Sequence, residues 1–236
     1  MEQALLWARG PFFRFALAIM ILGLLRVLVL NAISTHSLIR KSKKNSRKIP
    51  YGEIILATLK WMIPVKKGLE QRAIFSLISM LFHAAIIVTP IFLGAHIMLW
   101  ERGLGIAWPA LNATWADYLT LLAIVTGLAL FVERIRGKSA RAISRPQDYF
   151  LPLLIVVPFI TGYLAMHPGI NPFSYNSVMF IHVMSSNLIL ILLPFTKLSH
   201  VALFPTTQLV SELGWHLDPD SGRQVMIALG KEEEAI

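Results

Sequence analysis

The chain has 236 residues, of which 56% are hydrophobic and only 15% charged, with a mean hydropathy of +0.63. That balance excludes an ordinary soluble domain and points to an integral membrane protein. The formal charge of +9 lies in clusters between apolar runs, which membrane topology accounts for, so no nucleic-acid site is read from it. The absence of cysteine excludes disulfides, cysteine-ligated iron–sulfur clusters, thiolate-ligated haem and covalent CxxCH haem attachment within this chain.

About 20 mainly apolar residues are needed to cross a hydrocarbon core of about 30 Å. Five stretches meet this requirement, at 11–33, 73–100, 115–132, 149–166 and 174–204. The expected fold is therefore an all-α bundle of five transmembrane helices forming one domain, with a tail at 205–236. The first stretch is punctuated by Arg9, Arg14 and Arg26, and no small-residue cleavage site follows its apolar run, so it is expected to be retained.

Lysine and arginine set the expected orientation. The segment between the first and second spans carries "RKSKKNSRK", and that between the third and fourth carries Arg134, Arg136, Lys138, Arg141 and Arg145. Both are expected on the cytoplasmic side. The other two connections contain only Arg102 among basic residues and include the turn-rich "HPGINP", which places them outside. The N-terminus is then outside and the C-terminal tail cytoplasmic. Within the first basic segment, "GEIILATLKWMIPVKKGLEQR" suits either an amphipathic helix on the membrane surface or a packed connector. Trp100, Trp108 and Trp115 form an expected outer aromatic belt.

Four of the seven histidines fall inside predicted spans: His83 and His96 on the second, His182 and His200 on the fifth. His36, His167 and His216 are assigned to loops or the tail. Ionisable groups within a bilayer generally face a protein interior or a cofactor. Because the second and fifth spans run antiparallel, His83 is level with His200, and His96 with His182. Neutral imidazoles from facing helices suit the axial positions of a b-type haem. The eighteen-residue interval from His182 to His200 is five helical turns, so an ideal helix presents both on one face, about 27 Å apart. The thirteen-residue interval from His83 to His96 would turn the two roughly 140° apart, and Pro90 between them is the expected point of kinking.

These residues, "FH…LGAH" on the second span and "H(x17)H" with its "LLPFTKLSH" on the fifth, resemble the di-haem cytochrome b family of the respiratory nitrate reductase gamma subunit. The resemblance extends to the cytochrome b subunits of heterodisulfide-reductase-like, sulfite-reduction-associated and hydrogenase-linked redox complexes. The thirteen-residue spacing with its proline departs from the shorter spacing of the gamma subunit itself and favours a relative from another complex. The resemblance implies two haem b groups, one on His83 and His200 and the other on His96 and His182. It further implies an electron-transfer subunit of a quinone-linked oxidoreductase in a prokaryotic cytoplasmic membrane. Its expected partners are a cytoplasmic iron–sulfur subunit, which the tail would contact, and an outer-face cytochrome or other redox subunit.

Arg26 and Lys197 are candidate partners for haem propionates, with snorkelling to the headgroups as the other reading. Glu101 and Arg102 beside His96 are candidates for a quinone site, which His167 or Asp117 could join. A haem-free membrane anchor and a proton or solute transporter using the same histidines are the competing functions.

Overall fold

The computed structural model describes residues 1–42, 50–62, 65–217 and 221–230. Every regular element among them is helical, and five helices are long and apolar enough to cross a membrane: Glu2–Ser37, Ala73–Phe92, Ala113–Arg136, Pro146–Met166 and Tyr175–Phe195. This is the architecture of a multi-pass membrane protein.

In chain order, α1 (Glu2–Trp7) runs through a π-helical turn (Ala8–Phe12) into α2 (Phe13–Ser42). Then come α3 (Tyr51–Met62), α4 (Val65–Phe92), α5 (Gly94–Leu104), α6 (Ala113–Arg136) and α7 (Lys138–Ile143). The chain ends with α8 (Pro146–Met166), α9 (Tyr175–Leu192), two 3₁₀ turns (Leu193–Phe195 and Lys197–Ser199), α10 (His200–Leu217) and α11 (Ser221–Leu229).

Three expectations need correction. The first helix is longer than 11–33, so His36 lies on α2 and not in a loop. The second span is not one helix to Trp100: α4 stops at Phe92, Leu93 takes an extended conformation (φ −71°, ψ 124°), and α5 starts afresh at Gly94. The fifth ends near Phe195 and is broken by the two 3₁₀ turns, with Thr196 between them also extended (φ −123°, ψ −175°), so His200 begins a new helix. The ideal registers used above therefore stop at those breaks. The region expected as a tail is helical in its described parts.

The chain divides into two compact units, Met1–Ile19 with Lys66–Leu192, and Met20–Val65 with Leu193–Ile236. In the first unit, α8 packs against both α6 and α9. Asn112 caps α6 by accepting from the Thr114 amide (2.8 Å), and Pro146 opens α8, where a missing N–H costs nothing. Close packing depends on small residues, because lipid-immersed helices gain little by burying apolar side chains from one another. At Gly127 of α6, a Cβ would stand 2.6 Å from Val156 of α8 and 2.9 Å from Phe82 of α4, so three helices meet where only glycine fits.

The π-helical turn has a local cause. Pro11 has no N–H to return to the Trp7 carbonyl, and the turn widens there. Asn187 of α9, wholly buried, donates its side-chain amide to the Ala8 carbonyl of that turn (3.0 Å).

In the second unit, α3 lies against α10. Ile54 and Thr58, one turn apart on α3, are buried, as is Leu213 of α10, while Ile55, Leu56 and Leu59 remain exposed. The connector reading of this segment therefore holds for one face of α3, and its opposite face is apolar and exposed. Pro194 approaches Gly23 of α2 so closely that a Cβ there would overlap its ring.

Gly127→Ala is expected to lower stability by about 1–3 kcal/mol through overpacking. Gly103→Ala, where a Cβ meets nothing within 4 Å, should be neutral or slightly stabilising. Thermal unfolding in detergent micelles compares the two.

Candidate functional site

The break at Leu93, just beyond the apolar span Ala73–Phe92, takes the last carbonyls of α4 out of the regular helical ladder. Each finds a donor nearby. The Thr89 carbonyl accepts from the Leu93 amide (2.9 Å), Pro90 from Nδ1 of His96 (3.0 Å), Ile91 from Nε1 of Trp108 (2.9 Å), and Phe92 from the Leu111 amide (2.9 Å). His96 is thus one of four groups that close the helix end, and its ring orientation follows from that role.

His182 is held in a comparable way from a neighbouring helix. Its Nδ1 lies 2.8 Å from the Pro158 carbonyl of α8. Gly162, one turn further along α8, leaves the room: a Cβ there would sit 3.1 Å from Cε1 of His182. The consequence is that His96 and His182, both half-buried, stand with ring centroids 6.2 Å apart and planes inclined by 34°.

The two remaining histidine candidates share the pattern locally. His83 of α4 has Nδ1 2.7 Å from the Ser79 carbonyl, and His200 has Nδ1 2.7 Å from that of Lys197; both side chains are exposed. A carbonyl oxygen can only accept, so Nδ1 carries the hydrogen in all four rings. A ring nitrogen held by a carbonyl is the usual support of a metal-ligating histidine, whose other nitrogen coordinates. His83 belongs to the first unit and His200 to the second.

Among the described residues no group of three or more His, Cys, Asp or Glu is placed to hold a metal ion. A haem asks the protein for only two donors, the porphyrin supplying the rest. With metal–nitrogen bonds of about 2.0–2.1 Å and about 1.2 Å from nitrogen to ring centre, two imidazoles in line on one metal have centroids about 6.4 Å apart. The 6.2 Å separation of the His96 and His182 ring centroids is close to that distance. Two buried oxygens nearby in sequence, Thr89 Oγ1 and Asn187 Oδ1, also lack hydrogen-bond partners among the described residues.

The other sequence candidates are more dispersed. Arg26 on α2 and Lys197 in the second 3₁₀ turn are exposed and lie in the second unit. Glu101 and Arg102, also exposed, occupy the end of α5 that leads into the loop to α6. His167 is the C-cap of α8, the first residue of the loop beyond it, as expected. Its ring stacks on Tyr163 (centroids 4.1 Å), its Nδ1 meets the Tyr163 carbonyl (2.8 Å), and its Nε2 lies 3.3 Å from Oδ2 of Asp117 on α6. The sequence named these last two residues without pairing them. Trp108 was read only as a belt residue and Pro158, Gly162 and Asn187 were not singled out, because their roles exist only once the loop 105–112 folds over the break, α8 lies against α9, and α9 meets the π-helical turn.

Comparison with known proteins adds little. The chain is 34% identical over 152 residues to a protein of Nitratidesulfovibrio vulgaris whose name carries no functional description; the match covers 64% of this chain and 66% of that one. The chain therefore spans just under two thirds of the length of this relative. No family model matches. No solved structure matches either.

Trp108→Phe keeps an aromatic ring but strands the Ile91 carbonyl. It is expected to cost about 1 kcal/mol in thermal unfolding of the detergent-solubilised protein.

Proposed function

We propose that this protein is a di-haem b membrane subunit of a respiratory redox complex, carrying electrons between the quinone pool and partner redox subunits. The observation that carries the reading is the His96–His182 pair, 6.2 Å apart and with both Nδ1 atoms committed to proline carbonyls. Those hydrogen bonds orient the rings before any ligand arrives, and Gly162 gives His182 its space. A haem bound by these residues supplies a one-electron redox centre at membrane depth. The second haem of the proposal is assigned to His83 and His200 on the sequence pattern.

Arg26 and Lys197 remain candidate propionate partners, and Glu101 with Arg102 a candidate quinone contact. The distribution of basic residues supports an N-out orientation in a prokaryotic cytoplasmic membrane. The cysteine-free chain must hand electrons to other subunits, of which a cytoplasmic iron–sulfur protein and an outer-face cytochrome are the proposed kinds. A haem-free anchor would account for each imidazole–carbonyl bond taken singly, but it makes no use of the 6.2 Å separation between the two rings.

The purified protein is expected to be red, with a b-type reduced-minus-oxidised spectrum and two haems per chain. His182→Ala and His96→Ala should each remove one haem and leave the other. A colourless, folded protein, or a spectrum indifferent to both substitutions, rules the reading out.

A further inference from the structure

Where α8 ends, three side chains form a cluster that the haem-ligand reading does not use. His167 and Asp117 approach to 3.3 Å across the α8–α6 contact, and Tyr163 stacks on the imidazole at 4.1 Å. All three belong to the same unit as His96 and His182. Gly162, the residue against which His182 rests, precedes His167 by five positions, about 7.5 Å along the helix axis.

The hydrogen bond from His167 to the Tyr163 carbonyl fixes the tautomer. Since Nδ1 must carry a hydrogen to donate there (2.8 Å), Nε2 is the nitrogen that takes up or releases a proton. It is also the nitrogen facing the Asp117 carboxylate, so an added proton on Nε2 lies next to a negative charge. Side-chain exposures of 32% for His167 and 39% for Asp117 leave the pair open to exchange with water at its edge. An isolated surface contact of this kind adds little stability. Its value lies in acid–base chemistry beside a redox centre.

We infer that His167 and Asp117 form the proton-transfer pair of a quinone site at the His96/His182 end of the first unit. The inference rests on the electron-transfer reading above and assigns the proton acceptor to this pair in place of Glu101, whose side chain is exposed at the end of α5. In the direction of quinol oxidation, the O–H bond of a quinol hydroxyl breaks and an N–H bond forms at Nε2 of His167. The negative charge left on the quinol oxygen balances the positive charge gained by the imidazole, which the Asp117 carboxylate stabilises. Complete oxidation releases two protons and two electrons. The protons leave one at a time through His167 to water, and the electrons go to oxidised b haem as the co-reactant. Quinone reduction uses the same proton path reversed. Tyr163 holds the ring in position through stacking and its carbonyl.

The test uses the purified full-length protein in detergent, with menadiol as the quinol probe and dithionite as a reductant that needs no proton acceptor. Haem content and the dithionite-reduced spectrum should be the same in wild type, His167→Gln and Asp117→Asn. Menadiol-driven haem reduction should fall at least about tenfold in both variants and remain near wild type in Asp117→Glu. Binding of the fluorescent quinol analogue 2-heptyl-4-hydroxyquinoline N-oxide, followed by quenching, should weaken about tenfold in His167→Gln with the loss of one charge-assisted hydrogen bond. Wild-type menadiol rates in both variants, with haem retained, would overturn this inference alone. So would loss of haem from the variants, which would make the pair structural. A colourless wild type, or haem that dithionite reduces and menadiol does not, overturns the electron-transfer reading or its quinone partner, and this inference with it.

Discussion

A helix broken within a membrane must still give each backbone carbonyl a hydrogen-bond donor, because hydrocarbon offers none. The end of α4 meets that demand with four donors from four different residues, among them the imidazole of His96 and the indole of Trp108. The histidine is thereby tied to the chain break itself. Closing the helix end fixes its ring, and fixing its ring brings it beside His182. The same constraint acts at the π-helical turn, where Pro11 disturbs the ladder and Asn187 reaches from α9 to the Ala8 carbonyl.

Close approach of helices is the second requirement, and glycine meets it at two points. Gly127 lets α4, α6 and α8 converge, and Gly162 lets His182 settle against α8 within reach of the Pro158 carbonyl. Prolines 90 and 158 have parallel roles. Each lies within a helix and offers its carbonyl to a histidine, one on the short helix beyond the break and one on the adjacent span. In each case the carbonyl fixes the orientation of the imidazole through its Nδ1.

Much of the framework was legible in the primary structure. Apolar runs of about 20 residues marked all five spans, because crossing length is set by helix rise and bilayer thickness and depends little on neighbours. The ends were less legible. The first helix extends beyond both expected limits, and two expected spans contain breaks: Leu93 sits in a run that remains apolar, so hydropathy does not register it, whereas Thr196 opens the polar stretch TKLSH. Pro90 was a visible warning, yet the break falls three residues later, where four carbonyls can be satisfied from the following loop. The eighteen-residue interval between His182 and His200 looked like the firmer register, but it crosses two 3₁₀ turns and no ideal helix spans it.

By itself the sequence determined the number of spans, the exclusion of thiolate chemistry and the four histidines worth following, because these depend on residue type and local spacing. Only the tertiary structure decided that His96 and His182 stand 6.2 Å apart, that proline carbonyls hold their Nδ1 atoms, and that His167 meets Asp117. Those facts depend on which helices touch, on where a glycine permits the contact and on which carbonyls a break leaves unpaired. None of the three is encoded in the periodicity of a single helix.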